Sequence, residues 1–299
     1  MPAPTNAMPR IQVPAPGPGT PVRYGLFSAA NIIEQAEGHT LAGIEYEAVC
    51  NTHVTPYPAP CAHPAPPENL PTTKTPAPTT QWAWGSPFAL YAMDDCALAR
   101  DETTARQQLR QRLAYGEQTT VETVIERGVS GNVPRLVGTE QNPVVLPAGT
   151  TPLELIDAVG VLEHWLASAT GTQGVIHAPR WTATQLRRTA TAMPAGPLMQ
   201  TPLGNTVAFG AGYIGATPAG QSAGDELWLY ATRPITVRRS VVLEPATWST
   251  GLFDTRQNLG LLMVERIYVV DWPCQAAAVP TTLTRRPELA PTPPTEEDA

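Results

Sequence analysis

Two thiols and two imidazoles fall within one short stretch of the chain, as Cys50-x2-His53 followed by Cys61-x-His63. Two thiolates and two neutral imidazoles form a ligand set that zinc accepts tetrahedrally. The spacing matches no common zinc module, and prolines crowd the stretch, so two other states stay open. Cys50 and Cys61 could join as a disulfide, or the thiols could remain free. Elsewhere the residues capable of chemistry are scattered. There is no GxxxxGK phosphate loop, no HExxH, no GxSxG and no GxGxxG opening a helix. Gly210-Ala211-Gly212 lacks the third glycine and falls between strand patterns. His164 and His177 have no paired carboxylate near them in sequence, which predicts packing or hydrogen-bonded roles. Neither an enzyme nor a cofactor is expected. Lys74 is the only lysine among 19 basic residues, and Arg100, Arg106, Arg110 and Arg112 cluster along one helical pattern.

The elements that must position these residues follow from periodicity. Residues 28–37 suit a short helix, with Ser28 as N-cap and Gly38 as its stop. In 43–50, Ile44, Tyr46 and Ala48 alternate with Glu45, Glu47 and Val49, a strand pattern. A second strand is expected from Phe88 to Cys96. The proline-dense stretch 51–87 between them is too long for an ordinary loop, and two flanking strands would make it a projecting hairpin. Asp101 can cap a helix over 101–115, with Ala105, Leu109 and Leu113 on one stripe and Gly116 after it. Thr151-Pro152-Leu153-Glu154 resembles a capping box opening a helix over 151–170, with Leu155, Val159, Leu162 and Leu166 inward. Val175-Ile176-His177 reads as a buried strand, and Pro179 opens a third helix to about Arg188. Beyond residue 200 come strands at 206–209, 227–230, 235–243 and 259–272. The last is apolar on both faces, so it needs cover from two sides. The class is α+β.

Composition limits the function. Of 299 residues, 42% are hydrophobic and only 15% charged, enough for a large core and too little charge to cover an isolated surface. Subunit interfaces are the economical place to hide the remainder. A net charge of −7 argues against a free-standing nucleic-acid binder. No basic-then-apolar leader and no run of 18 apolar residues stands in the sequence, so neither secretion nor a membrane is expected, and folding in the cytoplasm is the default.

From residue 98 onward the order of motifs resembles that of a known family. Leu113-Ala114-Tyr115-Gly116-Glu117 closes a helix, and the capped helix 151–170 follows. Next come Gly174-Val175-Ile176-His177-Ala178-Pro179-Arg180-Trp181 and Thr201-Pro202-Leu203-Gly204-Asn205-Thr206-Val207. Asn258-Leu259-Gly260-Leu261-Leu262-Met263-Val264-Glu265-Arg266 stands near the end. Over about two thirds of the chain this is similar to the major capsid proteins of tailed bacteriophages with the Hong Kong 97-type fold, which encapsulins share. The resemblance implies an N-terminal arm and short helix at 1–40, a projecting E-loop at 41–97, and a spine helix with peripheral domain at 98–129. It implies an axial domain at 130–235, a peripheral return at 236–280, and an acidic tail at 281–299.

The function implied is a structural subunit that self-assembles as hexamers and pentamers into a virion head, built in the host cytoplasm. Packaged double-stranded DNA would touch Arg100, Arg106, Arg110 and Arg112 without sequence preference. Scaffolding, portal or decoration proteins are further implied partners. Some members weld their subunits by an isopeptide bond, and the matching residues here are Lys74, Asn258 and Glu265. An encapsulin-type compartment is the alternative within the fold, and a small hydrolase the alternative outside it.

Overall fold

In the computed structural model of the chain, the residues described are 22–34, 38, 42–50, 54, 80–94, 102–128, 134–138, 143–147, 151–221, 226–244, 253–254, 259–260 and 262–282. The first part holds helix α1 (Leu26–Ala29) and strands β1 (Asn31–Ile33), β2 (Ile44–Val49), β3 (Thr80–Gly85) and β4 (Pro87–Asp94). Helix α2 (Glu102–Arg127) is followed by short strands β5 (Val144–Val145) and β6 (Leu153–Glu154) and by helix α3 (Leu155–Trp165), which continues as a π-turn over Leu166–Thr170. Strand β7 (Val175–Pro179), a 3-10 turn and helix α4 (Ala183–Arg188) come next. They lead to β8 (Met193–Ala195), β9 (Leu198–Gln200), β10 (Thr206–Gly210), β11 (Glu226–Thr232) and β12 (Thr236–Arg239). The described chain closes with β13 (Phe253–Asp254), β14 (Leu259–Gly260), β15 (Leu262–Asp271) and β16 (Ala277–Thr282).

Two sheets carry the architecture. The larger has eight strands in the order β5-β16-β11-β7-β10-β9-β8, with β6 also paired to β16. Its strands are apolar at almost every position because both faces are covered. Along β11, Leu227, Leu229 and Ala231 join α3 and α4 in one core, while Trp228 and Tyr230 join α2 in another. Each large side chain buried this way contributes on the order of 2 kcal/mol. The smaller sheet has the order β1-β12-β15-β4. Its inner face, with Leu262 and Val264 of β15 and Ala92 of β4, packs on Ala105, Leu109 and Leu113 of α2. That is the helical stripe the sequence predicts.

Several boundaries differ from expectation, each for an identifiable reason. Gly116 does not end α2, which runs on to Arg127. A mid-helix glycine costs about 1 kcal/mol, but Glu117, Glu122 and Glu126 beyond it all find partners. Glu117 accepts from Arg239, Arg266 and Tyr268 on the small sheet. The helix stops at Gly128, where φ is +82° and its N–H bonds Val124 O, as a left-handed C-terminal glycine should. Residues 153–154, expected in the first helical turn, instead pair with Thr281 and Thr282. A sheet edge that needs partners outcompetes the capping box, and α3 starts at Leu155. Ser28 is not an N-cap. It lies within α1, and its hydroxyl accepts from Tyr24 N–H. The residues expected to continue that helix form β1, held in parallel to β12. The segment 236–280 divides between the two sheets, since β16 pairs with β11, and residues 281–282, where the tail was expected to start, complete β16.

His177 has the packing role expected of it. It lies in the buried strand β7 with Tyr213 OH 3.0 Å from Nδ1 and Thr232 Oγ1 3.0 Å from Nε2. Complete burial lowers its pKa from 6.5 to about 3. Keeping it neutral therefore contributes stability that is complete above pH 6.5 and is lost as the pH falls from there toward 3. Over that range the unfolded chain binds a proton that the folded chain refuses. The denaturation free energy of the wild type should fall between pH 6.5 and pH 4 more steeply than that of His177→Gln, by up to about 1.4 kcal/mol per pH unit. Equal slopes in urea titrations of the two proteins would contradict this account of the core.

Candidate functional site

Strands β2 and β3 form an antiparallel hairpin in the register Ile44↔Gly85 to Val49↔Thr80. The sequence expectation paired the 43–50 strand with 88–96. The actual partner is 80–85, and β4 leaves the hairpin to pair with β15. Pro87 follows directly and lets the chain change sheets at Ser86. The alternation read in 44–49 holds. Ala48 and Ala83 are buried against the body, whereas Glu45, Glu47 and Val49 point out. On β3 that outer face carries Trp82, 60% exposed, and Trp84, 52% exposed. Trp82 sits opposite Glu47 and Trp84 opposite Glu45. Two indoles in water beside two carboxylates make a surface of the kind that subunit contacts use. The sequence reading did not single these tryptophans out. The period-2 pattern Gln81-Trp82-Ala83-Trp84-Gly85 was the available signal, hidden by the prolines around it.

The β2–β3 ladder is fixed to the body at both of its ends. Tyr46 OH donates to Asp271 Oδ1 at 2.9 Å, and Arg238 pairs with the same carboxylate. Arg233 donates to Val49 O at 2.7 Å and to Thr170 O at 3.1 Å. Gly85 packs so closely on Val269 that a Cβ would stand 2.9 Å from its Cγ1. Cys50 is bonded to Cys274. The expected Cys50–Cys61 pairing is thereby corrected, since Cys50 pairs with a residue 224 positions away. His53, Cys61 and His63 lie outside the described residues. Among the described residues no group of three or more His, Cys, Asp or Glu could hold a metal ion.

The hairpin covers the outer face of the small sheet only near Val269 and Asp271. Further along, Tyr91 is 65% and Met93 43% exposed, opposite the half-buried Glu265 and Met263. The two-sided cover expected for β15 is therefore met by α2 on one face and is incomplete on the other. Glu265 also bridges Leu243 through both backbone groups. Behind the edge strand β4, a cleft of about 310 Å³ lies between Leu90, Leu113, Gly116 and Glu117.

The four arginines do not form one surface. Arg106 is 9% exposed and paired with Glu102 and Glu244, so its charge is already matched inside the fold. Arg110 meets Glu244 from an exposed position, and Arg112 is exposed with one bond to Met93 O. Arg100 lies outside the described residues, as do Lys74 and Asn258. Glu244 is held below the usual carboxylate range chiefly by its hydrogen bond from Arg110.

No family model matches the sequence, and no curated protein matches it. Solved structures do. The capsid of an empty GTA particle matches with a TM-score of 0.55 at 12% identity, covering 93% of this chain and 96% of the other. The capsid of a native GTA particle gives a TM-score of 0.52 at 11% identity with the same coverage of 93% and 96%. A chain from Mycobacterium phage Cain gives 0.50 at 10% identity, covering 89% of this chain and 93% of its own. Likeness over nearly the full length of both partners identifies the fold. The chain has the α+β Hong Kong 97-type capsid architecture. No described helix is long and apolar enough to cross a membrane.

Proposed function

We propose that this protein is a major capsid subunit that self-assembles into the icosahedral head of a tailed phage or phage-like particle. The observation that carries the reading is the combination of a full-length capsid fold with a hairpin whose outer face leaves Trp82 and Trp84 in water. We read the eight-stranded layer as the axial domain, the four-stranded sheet with α2 as the peripheral domain, and residues 41–97 as an E-loop that lies on a neighbouring subunit. No observation favours an encapsulin or a hydrolase. Particles from the purified protein should sediment in the megadalton range. Removal of residues 52–79, or the pair Trp82→Ala and Trp84→Ala, should leave a soluble folded subunit that forms no stable shell. Normal shells from both variants would end the E-loop reading.

Packaged DNA is the proposed interior partner, and of the four arginines read from the sequence Arg110 and Arg112 are the described ones with exposed side chains, Arg110 sharing its charge with Glu244. Such contacts release counterions and weaken with salt. Arg110→Gln with Arg112→Gln should flatten the dependence of genome retention on ionic strength by about two phosphate contacts. An unchanged salt series would assign both side chains to the protein surface alone.

Covalent welding of the shell is proposed through Lys74, Asn258 and Glu265. Neutral Lys74 would attack the Asn258 carboxamide and expel ammonia, with Glu265 accepting the ammonium proton. Asn258 and Glu265 are seven residues apart, about 24 Å in an extended strand, so one site would need residues from different subunits. Mature particles boiled in SDS should give a ladder of multimers that disappears in Lys74→Arg. A single band at the monomer position would rule the bond out.

A further inference from the structure

We propose that the Cys50–Cys274 disulfide is a redox-set latch on the projecting hairpin, open while the protein is in a reducing cytoplasm and closed once it meets an oxidising medium. The inference concerns the regulation of the surface assigned above to subunit contact, and its biological role rests on that reading. Cys50 directly follows β2, just beyond the Val49↔Thr80 pair at the loop-side end of the β2–β3 ladder, and Cys274 lies in the turn between β15 and β16. The bond therefore joins the arm to the far end of the strand that crosses the small sheet.

The local structure is built to place that sulfur. Cys274 has φ +67°, the left-handed region that a glycine occupies without strain. A cysteine kept there against its backbone preference points to a requirement for its thiol. The tethers around the bond are all reversible. Arg233 and Tyr46 hold the ladder through hydrogen bonds at 2.7 Å and 2.9 Å, so the two sulfurs stay neighbours when reduced. Both cysteines are half-buried, within reach of a small thiol or disulfide.

Closure is thiol–disulfide exchange with a low-molecular-weight disulfide. One cysteine thiolate attacks the external S–S bond, forms a mixed disulfide and releases one small thiol. The second cysteine thiolate displaces the other. Two protein thiols become one S–S bond, and one external disulfide becomes two thiols, so two electrons and two protons pass outward. Because the bond spans 224 residues, it also restricts the unfolded chain strongly.

The test uses the full-length unassembled subunit, prepared with a phosphine reductant and then divided between that reductant and glutathione disulfide. Peptide mapping after alkylation should find Cys50 joined to Cys274 in the oxidised half. Hydrogen exchange over residues 44–49 and 80–85 should slow at least tenfold on oxidation, and the thermal midpoint should rise by several degrees. Cys50→Ser should abolish both responses. Cys274→Gly should also abolish them while keeping the fold, since it relieves the backbone. A map that pairs Cys50 with Cys61 or Cys96 would overturn the proposal. So would equal exchange in the two halves, or a redox response that survives Cys274→Gly. Failure of the protein to form shells, with these responses intact, would instead count against the capsid reading alone.

Discussion

Glu126 is 1% exposed, and its carboxylate accepts hydrogen bonds from the backbone N–H groups of Ile214, Gly215 and Ala216. One turn earlier, Glu122 is fully buried and accepts from Leu26 and Gly212. Burial pushes both carboxyls up from their ordinary range, and the converging N–H dipoles pull the other way. A charge taken out of water is tolerable only when it is met this completely. In the segment after β10 the amides of Gly212, Ile214, Gly215 and Ala216 are all taken up by these two carboxylates. The arrangement therefore holds the large sheet, α1 and α2 in one relation, and everything mounted on α2 inherits that geometry. The glycines at the contact are obligatory for the same reason. A Cβ on Gly212 would stand 2.1 Å from Thr119 O, and Gly215 has φ +70° with Leu227 against it.

At its middle the same helix meets the small sheet through another acid. Glu117 gathers Arg239, Arg266 and the hydroxyl of Tyr268, while Arg239 also pairs with Glu34 beside β1. These are the residues that set how the hairpin stands relative to the core. The hairpin is rooted on β15, and β15 is oriented on α2 by this cluster and by Leu109 and Leu113 below it. The placement of the exposed tryptophans thus depends, through β15 and α2, on the buried carboxylates.

Much of this was legible from periodicity. The stripe Ala105, Leu109, Leu113 and the stripe Leu155, Val159, Leu162, Leu166 are buried as read, because a repeat of 3.6 has one explanation in a chain of this length. The in–out alternation of 44–49 also holds. What failed were the decisions that depend on distant partners. Gly116 looks like a helix stop until Arg239 and Arg266 arrive from more than a hundred residues away to occupy Glu117. The 151–154 capping box is sound locally and loses to an edge of β16 that no local window contains. Cys50 had one nearby thiol, Cys61, to pair with and is bonded to Cys274 instead. The tryptophans of β3 were missed because proline density was read as the property of the whole stretch 51–87, when it ends before Thr80.

The strand order of the small sheet has a consequence for the making of the molecule. Its members come from residues 31–33, 236–239, 262–271 and 87–94, so the sheet interleaves early and late parts of the chain. β1 has no neighbour in that sheet until the ribosome has passed β12, and β4 has none until it has passed β15. Long-range pairings of this kind are slow to form, and here they also come last by necessity. A half-synthesised polypeptide displays no finished small sheet and no seat for the hairpin. On a polysome, where many nascent copies are held side by side, this ordering would separate translation from the association proposed above, because the small sheet is complete only once β15 has emerged.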